Sequence, residues 1–343
     1  MRHLLNTLYV MTEDAWLSLE GENVVVRSGE QEIGRFPLHG LEGIVSFSYS
    51  GASPALMGAC AERGIDLSFF RPSGRFLARV SGSVRGNVLL RKTQFRISEN
   101  AEAALDIGKS MMIGKLYNAR WVLERTTRDH GLSVDVERLK AASANLKSAL
   151  FRIEQAECAD SLRGIEGDAA AEYFGVFNEL ILTNNETFLF HGRSRRPPLD
   201  RVNAMLSFAY ALLARQCAAA LESVGLDPFV GFVHTDRPGR ESLALDLMEE
   251  LRPVFADRFV LACINNRIMT ERMFDVTESG AVLMNEAGRR TFLNAWQKRK
   301  KEVLTHPFLK EKLPWGLVPF VQALLLARYL RGDLDAYPPF LWK

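Results

Sequence analysis

A change of hydrophobic rhythm near residue 95 constrains this chain more than any other feature. Before it, apolar residues fall in short β-rich segments at 4–10, 16–19, 24–27, 31–36, 43–47, 65–70 and 76–80. Several are separated by turn residues, such as Glu20-Gly21-Glu22-Asn23 and Ser28-Gly29. Among them, 54–63 (PALMGACAER) is a good helix former that ends at Gly64, an expected stop. From Ala101 onward the apolar residues recur at helical spacing over long runs, 101–127, 134–157, 168–182, 200–224, 286–305 and 317–330. The expectation is an α+β chain with a small mainly-β N-terminal domain over 1–95 and a larger all-α C-terminal domain over 96–343. Residues 86–100 would hold the connection.

A length of 343 residues suffices for two domains, and 47% hydrophobic with 24% charged residues is ordinary globular composition. Disorder and fibre formation are not suggested. The opening MRHLLNTLYVMTEDAW places acids where a signal peptide needs apolar residues, and no run of about 18 apolar residues stands out. A cytoplasmic protein without membrane association is expected. Cys60, Cys158, Cys217 and Cys263 are far apart and form no CxxC pair, so neither a zinc site nor a disulfide framework is signalled, and buried thiols are expected.

The segment 231–253 (GFVHTDRPGRESLALDLMEELRP) carries the densest chemistry. A strand-like run over 229–233 ends at His234, Asp236-Arg237-Pro238-Gly239 reads as a turn, and 242–251 reads as a helix. Asp246, Glu249 and Glu250 lie at i, i+3 and i+4 on that helix and share a face, opposite Ala244, Leu247, Met248 and Leu251. Three acids on one face repel unless a positive partner sits there. The alternatives are a cation site and a plain solvated face beside an ordinary histidine. Zinc fits poorly, since no second histidine lies near His234 and carboxylates favour a hard cation. The chain shows neither a nucleophile elbow nor a phosphate-cradling Walker loop.

Read together with 162–174 (LRGIEGDAAAEYF), this segment resembles the two signature blocks of the CRISPR-associated Cas1 family, the metal-dependent endonuclease and integrase of spacer acquisition. The stretches 4–26 (LLNTLYVMTEDAWLSLEGENVVV) and 54–70 (PALMGACAERGIDLSFF) resemble the same family, most like its type I-C branch. The resemblance implies Glu166, His234 and Glu249 as catalytic metal ligands for Mg²⁺ or Mn²⁺, with Asp246 as a further ligand or as a group acting behind one. Glu166 lies between Gly164 and Gly167, just before the helix expected at 168. Glu250 would be an outer group or pair with Arg240 or Arg252.

The resemblance further implies the reaction and the partners. The free 3′-hydroxyl of a short foreign DNA fragment would attack a phosphodiester at the border of a CRISPR repeat. The substrates would be double-stranded DNA with single-stranded ends and CRISPR repeat DNA. The partners would be a second copy in a homodimer formed through the β domain, the small Cas2 protein, and a Cas4 nuclease that trims the fragment.

Charge clustering bears on DNA binding. Between 71 and 96 lie Arg71, Arg75, Arg79, Arg85, Arg91, Lys92 and Arg96 without a single acid, interleaved with Phe76 and Phe95. Arg193, Arg195 and Arg196 form a second cluster, Lys298, Arg299, Lys300 and Lys301 a third, and Arg240 stands beside the histidine turn. With a net charge of only +2, the argument rests on distribution. Asn203 and Tyr210, on an otherwise apolar helix, could line the site or simply pack in the core. Two rival functions remain: a metallophosphoesterase acting on small substrates, and a non-enzymatic DNA-binding scaffold.

Overall fold

The structure is a computed structural model that describes residues 6–71, 76–80, 82, 88–183 and 186–343. Its first part is built from strands β1 (Thr7–Val10), β2 (Ala15–Glu20), β3 (Asn23–Ser28), β4 (Gln31–Pro37) and β5 (Gly43–Ser46), helix α1 (Pro54–Arg63), and strands β6 (Asp66–Phe70) and β7 (Phe76–Val80). β2, β3 and β4 form an antiparallel sheet through two-residue loops. In those loops Gly21 and Gly29 take φ of 58° and 56°, a region that side chains with a Cβ disfavour. The second sheet runs β1-β5-β6-β7, with β1, β5 and β6 mutually parallel and β7 antiparallel. Helix α1 starts where Ser53 accepts from the Leu56 amide and stops at Gly64 in the left-handed region.

Strand alternation gives this second sheet two buried faces. Ile44 and Leu67 point into a core shared with Leu17, Val24, Leu56 and Cys60, whereas Val45, Phe47 and Phe70 point into the larger helical core.

That helical part comprises α2 (Val88–Glu99), α3 (Ala101–His130), α4 (Val136–Glu154), α5 (Ala159–Gly175), α6 (Arg201–Ser223), α7 (Ser242–Glu249), a π-helical turn (Arg252–Asp257) and α8 (Arg258–Asn265). It continues through β8 (Phe274–Val276), β9 (Val282–Met284), α9 (Glu286–Lys301), β10 (Val303–Thr305), β11 (Lys312–Pro314) and α10 (Val318–Leu330). Asn100, Asp135, Asp200 and Asn285 cap α3, α4, α6 and α9 with side-chain oxygens.

Four local expectations change. The expected connection at 86–100 is largely α2, whose Gln94 bonds the Asp227 and Val230 carbonyls. The mostly helical part also carries two short antiparallel hairpins, β8-β9 and β10-β11. Cys158 is exposed and caps α5, while the other three cysteines are buried thiols as expected. Finally, α6 is long and apolar enough to cross a membrane by composition, yet most of it is buried within the fold.

Candidate metal centre

The site is assembled around α7. Instead of a strand, 229–234 is an irregular loop, and its path is dictated by the buried carboxylate of Asp246. Asp246 Oδ2 accepts from the amides of Phe232 (2.7 Å) and Val233 (3.0 Å), and Oδ1 accepts from the amide of His234 (3.0 Å). Phe232 and Val233 themselves point into the core. A Cβ at Gly231 would come within 2.8 Å of Asp246 Oδ2 and 2.9 Å of the His234 carbonyl, so glycine alone lets the loop close on the carboxylate. The turn then completes at Gly239, with φ of 74°.

Asp246 also holds the imidazole, with Nδ1 2.6 Å from Oδ1. A neutral ring donating from Nδ1 carries its lone pair on Nε2, which lies 4.0 Å from Glu249 Oε1. The geometry separates the two acids: Asp246 is bonded to the loop amides and the imidazole, and Glu249 faces the histidine.

Glu166 arrives from a different element. It lies in the middle of α5 and not in a turn before a helix, and the flanking Gly164 and Gly167 leave open space where side chains would stand. Lys115 of α3 bridges the two glutamates, ion-paired with Glu166 and 2.6 Å from Glu249 Oε2. Arg252 supports Glu249 from the other side at 2.7 Å. Burial by itself would push the Glu249 carboxyl up, but Arg252 and Lys115 beside it, with His234, hold it down at about 2. Among the described residues no three His, Cys, Asp or Glu side chains converge at metal-ligand distance, because the Lys115 ammonium stands between Glu166 and Glu249.

The donor set nevertheless suits a divalent cation: two carboxylates, an imidazole nitrogen, and a buried Glu249 Oε2 that receives no well-aligned hydrogen bond. A small cleft opens beside it, lined by Lys115, Glu166, Arg193, Tyr210, Arg252 and Asp257. Tyr210 donates to Asp257 at 2.6 Å, and its ring lies between the guanidinium groups of Arg193 (5.2 Å) and Arg252 (4.7 Å). Burial raises the Asp257 carboxyl to about 6, against the lowering pull of Tyr210 and Arg252. Asn203 accepts from Arg193 (2.6 Å) and from the Ser194 amide (3.1 Å), tying the 193–196 loop to α6.

Several expectations are corrected. Glu250 does not pair with Arg240 or Arg252; it is buried on the far side of the turn, bonded to Tyr337, Gln322 and the Phe340 amide. The acidic face is not solvated, since Asp246, Glu249 and Glu250 are all buried. Arg79 pairs with Glu222 and Glu241, Lys300 is buried against Thr7 and Glu42, and Arg299 pairs with Glu302 and covers Trp315. Those three cations already have partners within the fold. Arg193 is half committed, while Arg71, Lys92, Arg195, Arg196 and Lys298 are exposed and Arg91 and Arg240 partly so. Arg75 and Arg85 lie outside the described residues.

Lys115 and Arg252 escape motif reading, though each leaves a trace. Lys115 interrupts an apolar stripe with Met111, Met112, Leu116 and Ala119 as its helical neighbours, and Arg252 stands three residues after Glu249.

The model of the family described as CRISPR-associated protein Cas1 matches residues 8–298. A protein of Rhodospirillum rubrum named CRISPR-associated endonuclease Cas1 2 is 52% identical, with all of both chains covered. The chain belongs to the Cas1 family. A Cas1 endonuclease of Chlorobaculum tepidum is 48% identical, again over the whole of both chains. The fold matches that of a casposase bound to its integration product, with a TM-score of 0.85 at 22% identity, covering 98% of this chain and 94% of that one. The chain is thus an enzyme of the Cas1 endonuclease class, and nucleases of this kind generally work with divalent metals.

Proposed function

We propose that this Cas1 chain joins short DNA fragments into a CRISPR repeat at the centre formed by Glu166, His234 and Glu249. The observation that carries this is the delivery of an imidazole nitrogen and two carboxylates, from a loop, α7 and α5, to the two sides of Lys115. Glu166, His234 and Glu249 would hold Mg²⁺ or Mn²⁺, and Asp246 would act through His234 as its orienting partner. Such an ion supplies charge neutralisation at the phosphodiester and activation of an oxygen nucleophile.

The protein's own groups do the rest. Asp246 keeps the histidine in the tautomer whose Nε2 faces the site. Arg252 and Lys115 keep Glu249 ionised at neutral pH, so its oxygens remain ligands and not proton carriers. Arg195, exposed at the cleft, and the exposed Arg196 next to it in sequence would bind phosphates on one side of the scissile bond, and Arg193 would stiffen that loop. Arg71, Arg91, Lys92, Arg240 and Lys298 would add backbone contacts without reading sequence.

The substrates would be duplex DNA with single-stranded ends and repeat DNA, and a homodimer would present two such centres. Partnership with Cas2 and Cas4 is supported by the names of similar proteins, a Cas6-RT-Cas1–Cas2 complex and a Cas4/Cas1 fusion of Geobacter sulfurreducens. Placement in the type I-C branch rests on the N-terminal sequence resemblance, and a cytoplasmic location on the opening residues.

The test is strand joining. A labelled short duplex and a repeat-bearing plasmid are incubated with the chain and its small partner in Mg²⁺ or Mn²⁺, alongside His234→Ala and Glu249→Ala. Joining should vanish in both variants while DNA binding in chelator persists. Folded variants that join DNA as fast as the parent would sink the ligand assignment, and binding without joining in the parent would favour the scaffold rival.

A further inference from the structure

Next to Glu249 in sequence, but facing away from the cleft, the carboxylate of Glu250 is buried without a cation. It accepts hydrogen bonds from the Tyr337 hydroxyl, from Gln322 Nε2 (2.9 Å) and from the Phe340 amide (2.6 Å). Gln322 of α10 is itself oriented. Its Oε1 faces His306 Nε2 at 3.1 Å, and the other ring nitrogen of His306 accepts from the Leu309 amide at 3.2 Å. Asn118 of α3 closes the circuit, donating to the carbonyls of both Glu250 and Phe340 at 2.7 Å and accepting from the Trp342 amide at 2.8 Å. The Trp342 ring is covered by Arg125 (4.4 Å) and Arg258 (4.2 Å).

The fit to α3 is close. A Cβ at Gly114 would lie 3.0 Å from Glu250 Cγ and 3.2 Å from Pro339 Cβ, so glycine lets both approach. A leucine at 250 would avoid the desolvation cost of a buried carboxylate. It would not bond 337–342 to the residue beside Glu249.

We propose that 337–342 is a positioning strap for the metal centre. By bonding the side chain of Glu250 and, through Asn118, its carbonyl, the strap fixes the turn that joins α7 to the π-helical segment. That turn sets where Glu249 and Arg252 point. Glu250, Tyr337 and Asn118 are positioning residues, since none of them reaches the cleft. The inference rests on the reading of Glu166, His234 and Glu249 as the ligand set.

The test uses the full chain and reads metal binding directly, by Mn²⁺ titration without DNA, in the parent, Tyr337→Phe, Trp342→Ala and His234→Ala. Removing the Tyr337 hydroxyl is expected to weaken Mn²⁺ binding about tenfold, as loss of a group that supports a ligand commonly does. DNA affinity in chelator should stay unchanged, and DNA cleavage should recover at high Mn²⁺. Trp342→Ala, remote from the carboxylate, should shift Mn²⁺ affinity the same way, and it decides the matter if Tyr337→Phe does not fold. Unchanged Mn²⁺ affinity in the folded strap variants, with a large loss in His234→Ala, overturns the strap and leaves the ligand set standing. Unchanged affinity in His234→Ala overturns the ligand set and the strap with it.

Discussion

Single side chains here take their roles from what stands opposite them in space. Glu249 and Glu250 are neighbours in sequence and both buried, yet their carboxyls are driven in opposite directions. Arg252 and Lys115 offset burial and hold the first at about 2, while burial without a cation raises the second to about 8. With a folded pKa below its ordinary 4.5, Glu249 contributes stability above pH 4.5 that is lost as pH falls toward 2. Lys115 is the cation that makes this arrangement tolerable in the metal-free protein. Lys115→Ala should lower the metal-free stability by about 2–4 kcal/mol, because two carboxylates then face each other with one partner fewer. Urea unfolding with and without Mn²⁺ checks this. The variant should gain more stability from Mn²⁺ than the parent does, and an equal gain would contradict the proposal that Glu166 and Glu249 hold the ion.

At the scale of elements, the break after α7 matters more than the helix. Pro253 has no amide hydrogen, so the carbonyl of Glu249 loses its usual helical donor, and the chain passes through the π turn Arg252–Asp257 before α8. Arg252, at the start of this turn, reaches Glu249 and packs against Tyr210, while Asp257 at its end meets the Tyr210 hydroxyl. Pro253→Ala restores the donor and favours a regular α-helix; Arg252 would stay an i+3 neighbour of Glu249 but shift against Tyr210 and Asp257. DNA cleavage should fall at least about tenfold with the fold retained, an effect near 1.4 kcal/mol on the barrier. Unaltered cleavage would mean that the π turn does not place Arg252.

Across the whole molecule, charges hold the two cores together. Arg215 of α6 bonds Asp66 of β6 and Glu241, each at 3.1 Å, and Glu241 immediately precedes α7. Lys300 of α9 reaches Glu42 and Thr7 on the same sheet, and burial pulls its pKa down. His306 adds an acid-sensitive contribution of its own. Burial lowers its pKa to about 4, below the ordinary 6.5, against the raising effect of Gln322. Such a group contributes stability that is complete above pH 6.5 and is lost as pH falls through 4. Asp257, raised to about 6, and Glu250, raised to about 8, slope the opposite way, being most favourable below their ordinary 3.8 and 4.5. His306→Gln should therefore flatten the acid limb of stability between pH 6.5 and 4 by an amount on the order of 2–3 kcal/mol. Chemical denaturation across that range measures it, and an acid limb as steep as the parent's would place the sensitivity in another group.

How much of this was legible beforehand follows from the reach of each interaction. Alternation, caps and glycine turns act over a few residues, so the strands of the first part, α1 with its stop at Gly64, and most long helices could be read directly from the chain. The segment bearing His234, Asp246 and Glu249 stood out by its chemistry, and Glu166 through the family resemblance. Their arrangement could not be read in this way. Lys115 and Glu166 are 51 residues apart in sequence, and Asn118 and Glu250 are 132 apart. Whether a cation faces a phosphate or a buried carboxylate depends on such pairings. Arg79, Arg299 and Lys300 look like Lys92 and Arg195 in sequence and differ only in what folds over them. By itself the sequence determined most strands of the first part, most of the long helices, the family and the residues proposed to bind an ion. Tertiary structure decided that Asp246 bonds the His234 ring, that Glu249 faces the histidine and that Glu250 turns toward 337–342, because burial and charge act through space and not along the chain.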